Sequence, residues 1–545
     1  MDPRLVEFSQ TLPPLVLRSA FTNKSDLLNA LMCFHLLEHR HYKTIASNSK
    51  RLTLKCAQQN CHFHFHASES NEFANTFVIA SFTAHSCSKS ANLVDTNADA
   101  SFLATLFKEH NRKTHLTPTD VKNKCRERFG LSVSDSKALR IVKAVEELEF
   151  GSLESSFEIL HAYCLALKES DDDNVVELQS HDGRFKRIFI AFNSCLKGFC
   201  FCKKVISVDG CHLKHKLKGI LLIACSSDAV GSILPIAFAV VNSESYDNWM
   251  WFLSKLKEII PEEIYTVISD RQKGLIKAVD EVFKETVNHA FCIEHLKRNM
   301  RSHGGAKITH LIRSAAEAKD TVEMNRIFAE MKAISPKGYS YLSSTADPAM
   351  WCDAVFAGNR FGHYSSNISE SLNAWLAEER KMPVVKMLEF IRRKLMRWFY
   401  ERKENATLSK GVLVKPVQEA LDEQDSLARR LEVVPSSSSV FEVLSSPHKV
   451  VDLEDRSCSC GEWQKRGRVC VHVQAVMLFK GISLAEACVL CYTNEYYRKT
   501  YETALNPVLP REEWDCETVE DPLLAPTCNV LPGRPPIKRK RRWDE

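Results

Sequence analysis

The chain has 545 residues, 44% of them hydrophobic and 26% charged, with 20 cysteines and a formal net charge of +5. Such a length predicts two to four domains, and the near-even charge excludes a chain that wraps nucleic acid along its whole length, so any DNA contact has to come from local patches. No apolar run approaches the roughly 18 residues of a membrane span, and Met1-Asp2-Pro3 lacks the basic-then-apolar start of a secretory signal, so the cysteines are expected to be reduced thiols or zinc ligands in a cytosolic or nuclear compartment.

Residues 1–95 form the first expected module. Phe21 to Leu37 reads as a helix, with Asn23 or Ser25 as cap and Leu27, Leu28, Leu31, Phe34 and Leu37 as its apolar stripe. Leu52–Leu54, His62–His66 and Phe77–Phe82 follow as short strands. They carry Cys56-x4-Cys61 and, after a 23-residue gap, His85-x-Cys87. Sulfur and nitrogen donors in such pairs suit tetrahedral zinc; the alternative is four unrelated buried residues. Beyond a short polar linker, Thr96–Ala100, residues 101–150 read as helical. Thr117-Pro118-Thr119-Asp120 opens one helix, with Val121, Cys125 and Phe129 on one face. Gly130 ends it, and Ser134–Leu148 forms the next. The pair resembles a helix-turn-helix and carries Lys122, Lys124, Arg126, Arg128, Lys137, Arg140 and Lys143, which can meet phosphates. A solvated helical connector is the alternative.

Residues 151–204 hold an apolar helix, Phe157–Ala166, an acidic turn, Asp171–Asn174, and an alternating strand from Arg184 to Phe189. Residues 205–299 organise the rest. Two apolar, β-branched runs, Val205–Val208 and Ile264–Ser269, each end on an acid, Asp209 and Asp270. A carboxylate at the end of a buried strand sits where α/β sheets place their chemistry. Gly219–Ala224 and Ile233–Val241 read as strands, Asn248–Ile260 and Gly274–Phe283 as helices, and a last strand leads into Cys292-x-x-His295. The order fits the ribonuclease H-like fold, in which neighbouring strands carry clustered acids for divalent metal. Trp249 and Trp251 lie two positions apart on a helix; either can stack on a flipped base, and both suit a core.

A helical stretch runs from Ile308 to about Leu342. Ser365–Leu376 begins a new helix, capped by Asn367 or Ser369, with Glu370 in its first turn and Leu372, Trp375 and Leu376 inward. Pro383–Phe399 is helical and dense in Arg392, Arg393, Lys394 and Arg397. Residues 401–440 read as a charged helical connector and a Ser-rich linker, Pro435–Ser439. Residues 441–490 follow: a strand pair over Phe441–Leu453, then Cys458-x-Cys460, nine intervening residues, and Cys470-x-His472, with Trp463 between. Four ligand-type residues in that pattern predict zinc. The tail, 491–545, ends in a basic cluster, Arg534, Lys538, Arg539, Lys540, Arg541 and Arg542. That cluster reads as a nuclear import signal, a phosphate contact or both, against a plain solvated tail.

Several of these motifs, in this order, carry a family resemblance. Asp209-Gly-Cys-His-Leu-Lys, Pro235-Ile-Ala-Phe-Ala-Val-Val, Glu244 before Trp249-Met-Trp251-Phe252, Ser269-Asp270-Arg-Gln-Lys-Gly274 and Cys292-x-x-His295 look like a Mutator-like element (MULE) transposase. The N-terminal module resembles the WRKY-like zinc finger of many such proteins, in which a strand enters the DNA major groove. Cys-x-Cys then Cys-x-His resembles the SWIM zinc finger that commonly trails the catalytic domain. The Ser369-Glu370-Ser-Leu-Asn373 segment matches the place where the family puts its third acid, after an all-helical insertion. The fold expected is an α/β ribonuclease H-like core over 205–400, interrupted by helices at about 300–360 and flanked by small zinc-binding domains.

The resemblance implies a DDE-type DNA transposase. Phosphodiester cleavage of this kind uses two divalent ions about 4 Å apart, and magnesium favours carboxylate oxygens. By resemblance Asp209 bridges the two Mg2+ (or Mn2+) ions, Asp270 holds one and Glu370 the other; Glu294, Glu378 and Glu379 are rivals for the third place. Cys292 and His295 share a helical face, and can bind zinc or brace the acids. Implied partners are terminal inverted repeats and target DNA, with a homodimer or larger assembly on paired ends, no membrane, and a nuclear location. Two other readings stand beside this one: a domesticated, non-cutting DNA-binding transcription regulator, and a nuclease of the same fold without transposition.

Overall fold

A computed structural model describes residues 3–90, 93–94, 99–107, 116–215, 217–514 and 522–527. The chain divides into two compact units, Met1–Ser152 and Leu153–Glu545. The basic cluster at 534–542 lies outside the described residues, as do three positions of the expected linker, 96–98.

The first unit has two cores. After α1 (Pro3–Gln10) and β1 (Ala20–Phe21) comes α2 (Lys24–Glu38), whose N-cap Asn23 accepts the Asp26 N–H. β2 (Tyr42–Ser47), β3 (Arg51–Cys56), β4 (His64–Glu69) and β5 (Phe77–Thr83) complete an antiparallel sheet in the order β1-β5-β4-β3-β2. Alternate residues on one face, Leu52, Leu54, Phe65, Ala67, Phe77 and Ile79, pack on Leu27 and Leu31, as the two-residue period of a strand requires. The second core is helical. β6 (Leu93–Val94) pairs with β7 (Leu131–Ser132), and α3 (Ala100–Phe107), α4 (Pro118–Phe129) and α5 (Asp135–Phe150) bury Leu103, Phe107, Val121, Cys125, Phe129, Ile141 and Val145. Thr117 and Asp120 form a reciprocal capping box on α4, and Gly130 ends it at φ 62°, a left-handed conformation that suits glycine.

The second unit is a mixed α/β body. α6 (Ser155–Glu158), α7 (Leu160–Ser170), β8 (Val175–His181), β9 (Arg184–Ala191) and α8 (Asn193–Phe199) lead to β10 (Val205–His212), β11 (Ile220–Ser227) and β12 (Ile233–Val241). α9 (Tyr246–Ile259), β13 (Tyr265–Ser269), α10 (Lys273–Phe283) and β14 (Val287–Phe291) follow. The sheet order is β14-β13-β10-β11-β12-β9-β8. β10, β13 and β14 run parallel, and the remaining neighbours are antiparallel. All eight residues of β11 are buried, and its first six, Ile220 to Cys225, form an unbroken apolar run. Trp249 and Trp251 are both buried, Trp249 against Phe252 and Trp251 against Phe189. They are core residues, and the flipped-base option for them falls away.

α11 (Ile293–Ser302), α12 (Thr309–Ala316), α13 (Thr321–Ile334) and α14 (Pro336–Thr345) form a helical body with its own core, including Leu296, Met300, Ile312, Ile327, Met331 and Trp351. The chain returns to the sheet through Arg360. Its guanidinium is buried and donates to Asp353 at 2.9 Å, Trp351 O at 2.7 Å and Ala316 O at 3.0 Å.

α15 (Asn367–Trp375), the 25-residue α16 (Val384–Leu408) and α17 (Lys415–Ala428) follow. The cap of α15 is Ser366, not Asn367 or Ser369; the helix starts one residue earlier than its polar run suggests, and the Ser366 side chain itself makes no capping bond. β15 (Glu432–Pro435), β16 (Val440–Leu444), β17 (Lys449–Asp452) and β18 (Ser457–Cys458) make a four-stranded sheet, closed by α18 (Glu462–Arg466) and α19 (Val471–Lys480). Pro435–Ser439, expected to be a linker, is instead the turn of a hairpin: Pro435 pairs with Phe441, and Ser437 Oγ accepts the N–H groups of Ser439 and Val440. Serine hydroxyls close turns in this way, which composition alone does not separate from a loose linker. One continuous core runs through this unit, from Phe157 through the sheet to Trp463, Val476 and Leu523.

Candidate active site and metal centres

Three acids from three segments converge where the inner strand β13 ends beside β10. β10 and β13 pair in parallel with Val205 beside Thr266 and Ser207 beside Ile268. The same offset carried forward sets Asp209 beside Asp270, one residue past β13. Glu370 arrives on the first turn of α15, which Ser369 Oγ ties to Ser207 Oγ at 2.9 Å.

The three carboxyl groups feel one another. Burial pushes the Asp209 carboxyl up to about 7; Asp270 and Glu370 add to the shift, and His295 opposes it. Crowded carboxylates resist joint ionisation, and a divalent cation relieves that repulsion. Asp209 Oδ1 accepts the Gly210 N–H at 3.0 Å, and Oδ2 accepts the Asn373 amide at 2.7 Å. Asp270 Oδ1 accepts the Gln272 N–H at 3.0 Å. The rivals of Glu370 are engaged elsewhere. Glu294 pairs with Lys297 at 2.8 Å, Glu378 with Lys381 at 2.7 Å, and buried Glu379 with Lys394 at 2.7 Å.

Cys292 and His295 belong to the same cluster. Cys292 is fully buried at the N-cap of α11, and its sulfur accepts the N–H and hydroxyl of Ser366 at 3.2 and 3.1 Å. His295 Nδ1 stands 3.9 Å from Glu370 Oε1. The neighbouring Cys292 sulfur holds the His295 imidazole above its usual value, with Asp209 and Asp270 adding to it.

Both predicted zinc sets are assembled. Cys56, Cys61, His85 and Cys87 place one donor atom each within 4.8 Å of the others, and so do Cys458, Cys460, Cys470 and His472. In the first, Cys56 Sγ and Cys87 Sγ lie 3.7 Å apart, and His85 Nδ1 is 3.4 Å from Cys61 and 3.5 Å from Cys87. A tetrahedral ion with bonds of about 2.3 Å to sulfur wants its sulfurs about 3.7 Å apart. Against burial, the N–H groups of Phe63 and Ser86 bring the Cys61 thiol down to about 5, ready as a thiolate ligand. In the second, His472 Nδ1 is 3.8 Å from both Cys458 and Cys470. Trp463 braces that module by donating to Ala487 O at 2.8 Å. Both donor sets fit zinc.

Residues 205–299 match the MULE transposase domain. Residues 445–481 match the SWIM zinc finger, and all four donors of the second zinc set fall inside that range. No curated protein matches the chain significantly. The MULE transposase domain contains Asp209, Asp270, Cys292 and His295 and supports a transposase-related function; Glu370 lies beyond its end.

Two residues at the site were not singled out from sequence. Asn373 sits one helical turn after Glu370, so the same face of α15 presents both. That i,i+3 spacing is the signal that points to it. Glu244 belongs to a quoted motif but was given no role. Burial first, then Asp270, raises its carboxyl above the usual range, and a Cβ on Gly210 would stand 3.2 Å from it. Gly210 therefore gives Glu244 room beside Asp209.

Proposed function

We propose that the chain is a DNA transposase of the Mutator-like, DDE type, with a ribonuclease H-like core. The observation that carries this is the meeting of Asp209, Asp270 and Glu370, from two neighbouring parallel strands and a helix that follows a helical insertion. The parallel β10, β13 and β14 beside antiparallel β11 and β12 support the fold, and the MULE match supports the chemistry.

Asp209, Asp270 and Glu370 would hold magnesium or manganese, their crowding and oxygen chemistry fitting such ions. Bound there, the ions supply activation of the attacking oxygen and stabilisation of the leaving oxygen. The protein's part is placement. Asn373 holds the Asp209 carboxylate through one oxygen and the Gly210 N–H through the other. Glu244 and Asp270 keep the local field negative. Water attacks a phosphodiester at the element's end, leaving a 3′ hydroxyl and a 5′ phosphate; that 3′ hydroxyl then attacks a target phosphodiester, joins to its phosphorus and releases the target's own 3′ hydroxyl. The N-terminal zinc module, which we read as WRKY-like, binds the terminal inverted repeats, with the SWIM module as a second DNA contact. The chain acts in the nucleus, as a dimer or larger assembly on paired ends.

The test sequences the DNA flanking the coding region for matching inverted repeats and incubates the full chain with DNA that ends in them. Nicking that requires magnesium or manganese is expected, abolished by Asp209→Ala or Asp270→Ala with repeat binding intact. A wild-type chain that binds the repeats and never cuts them replaces this reading with the non-cutting regulator.

A further inference from the structure

The sulfur of Cys292 is set up to be an anion. It lies at the N-terminus of the ten-residue α11, where the helix field favours negative charge. Both the N–H and the hydroxyl of Ser366 point at it. A neutral thiol accepts hydrogen bonds weakly, so donors converging on a fully buried sulfur favour the thiolate.

A buried thiolate needs a positive partner. Two other donor atoms face the same space without a hydrogen bond, His295 Nδ1 and Glu370 Oε1, both buried. They stand 3.9 Å apart, too far to bond each other. Arg298 approaches the same glutamate oxygen at 3.9 Å, also too far to satisfy it, from a side chain that is mostly exposed. The donor atoms of Cys292, His295 and Glu370 all lie within 4.8 Å of one another. An ion between them would close those gaps by small side-chain movements, because tetrahedral donors around zinc sit roughly 3.3–3.7 Å apart.

We propose that Cys292, His295 and Glu370 form a third zinc centre, inside the acid cluster. Sulfur, imidazole nitrogen and one carboxylate select zinc over magnesium, which avoids sulfur. Three protein ligands leave a fourth position open to water. Ser366 acts as the outer partner that orients the thiolate, as such groups do around metal ligands. Because Glu370 belongs to both donor sets, zinc here withdraws it from Asp209 and Asp270. Binding of zinc stands without the cleavage reading; the antagonism with magnesium rests on that reading.

The experiment counts zinc per chain by mass spectrometry in full-length protein equilibrated with a slight excess of zinc and then desalted. Three ions are expected in the wild type and two in Cys292→Ser, His295→Asn and Glu370→Gln. Cobalt in place of zinc should lose a share of its thiolate charge-transfer absorption in Cys292→Ser. Circular dichroism identifies any variant that fails to fold, and the half-exposed Glu370→Gln guards against losing all three. Equal zinc content in the wild type and every folded variant overturns the proposal. Asp209→Asn separates the two readings, since it should keep three ions and lose cutting. A wild type that cuts with only two ions removes the third centre and leaves the transposase reading standing; one that holds three and never cuts does the reverse.

Discussion

The Asp209 carboxyl gives the site a measurable proton. Burial and the neighbouring acids set it to about 7 in the metal-free chain, above the ~3.9 of an unfolded aspartate. At pH 8 it is about nine-tenths ionised, and at pH 6 about one-tenth. A cation that binds the carboxylate must displace the proton, so apparent affinity should fall about tenfold from pH 8 to pH 6, roughly 1.4 kcal/mol. The sign for stability runs the other way. A carboxyl raised in the folded state stabilises the metal-free chain below about pH 4, and that contribution is lost as pH rises through about 7. Divalent ions should therefore protect against heat more at pH 8 than at pH 6. Calorimetric titration with calcium or manganese, of a chain given two equivalents of zinc so that only the two four-ligand Cys/His sets are filled, in buffers of different ionisation enthalpy, reads affinity and released protons together. His295 opposes the shift of Asp209, so His295→Asn should move the midpoint upward. An affinity that stays flat between pH 8 and pH 6, with no proton released near pH 7, would refute the reasoning, because Asp209 would then be ionised throughout and the acids not crowded.

Asn373→Ala removes the amide on Asp209 Oδ2; a charge-assisted bond of this kind is worth about 1.5–3 kcal/mol, so the same titration should show its midpoint above 7 and weaker ion binding. Cys470→Ser breaks the second zinc set; one zinc should be lost, and trypsin should cut within residues 445–481 faster than in the wild type. Arg360→Met leaves the buried Asp353 carboxylate with the Tyr364 hydroxyl but without its cation and should cost about 3–5 kcal/mol, read as a lower midpoint of urea unfolding.

How much of this was legible in the sequence depended on range. Asp209 and Asp270 stand at the ends of apolar runs within one contiguous motif, so strand pattern alone placed them. The zinc donors were equally visible, because close Cys and His pairs announce themselves by spacing. Glu370 needed the resemblance: a helical body of its own separates it from the sheet, and nothing local distinguishes it from Glu378 or Glu379. Only the fold shows those two spent on Lys381 and Lys394. Asn373 stood in the quoted segment, but its role was invisible because it is a contact with a residue 164 positions away. The edge strand β8 was missed, since Val175–His181 is polar on most of its length and gains its order from β9. Ser436–Ser439 misled by composition, which serves a tight turn as well as a loose tether.

The attachment of α15 through Ser369 to Ser207 has a consequence for how the molecule comes into being. During synthesis the strands bearing Asp209 and Asp270 are all made once Phe291 is joined, yet Glu370 is still 79 residues away, roughly 4–16 s at ordinary ribosomal speed. Until then the nascent chain carries two acids and no third. Its sheet also lacks part of its covering, because residues as late as Leu523 contribute to the same core. A message broken before codon 367 therefore yields a chain with the paired strands and no complete acid set, while the N-terminal zinc module is already whole. Early termination would separate the N-terminal module from the full set of acids, and the order of translation alone keeps an unfinished chain from assembling its site.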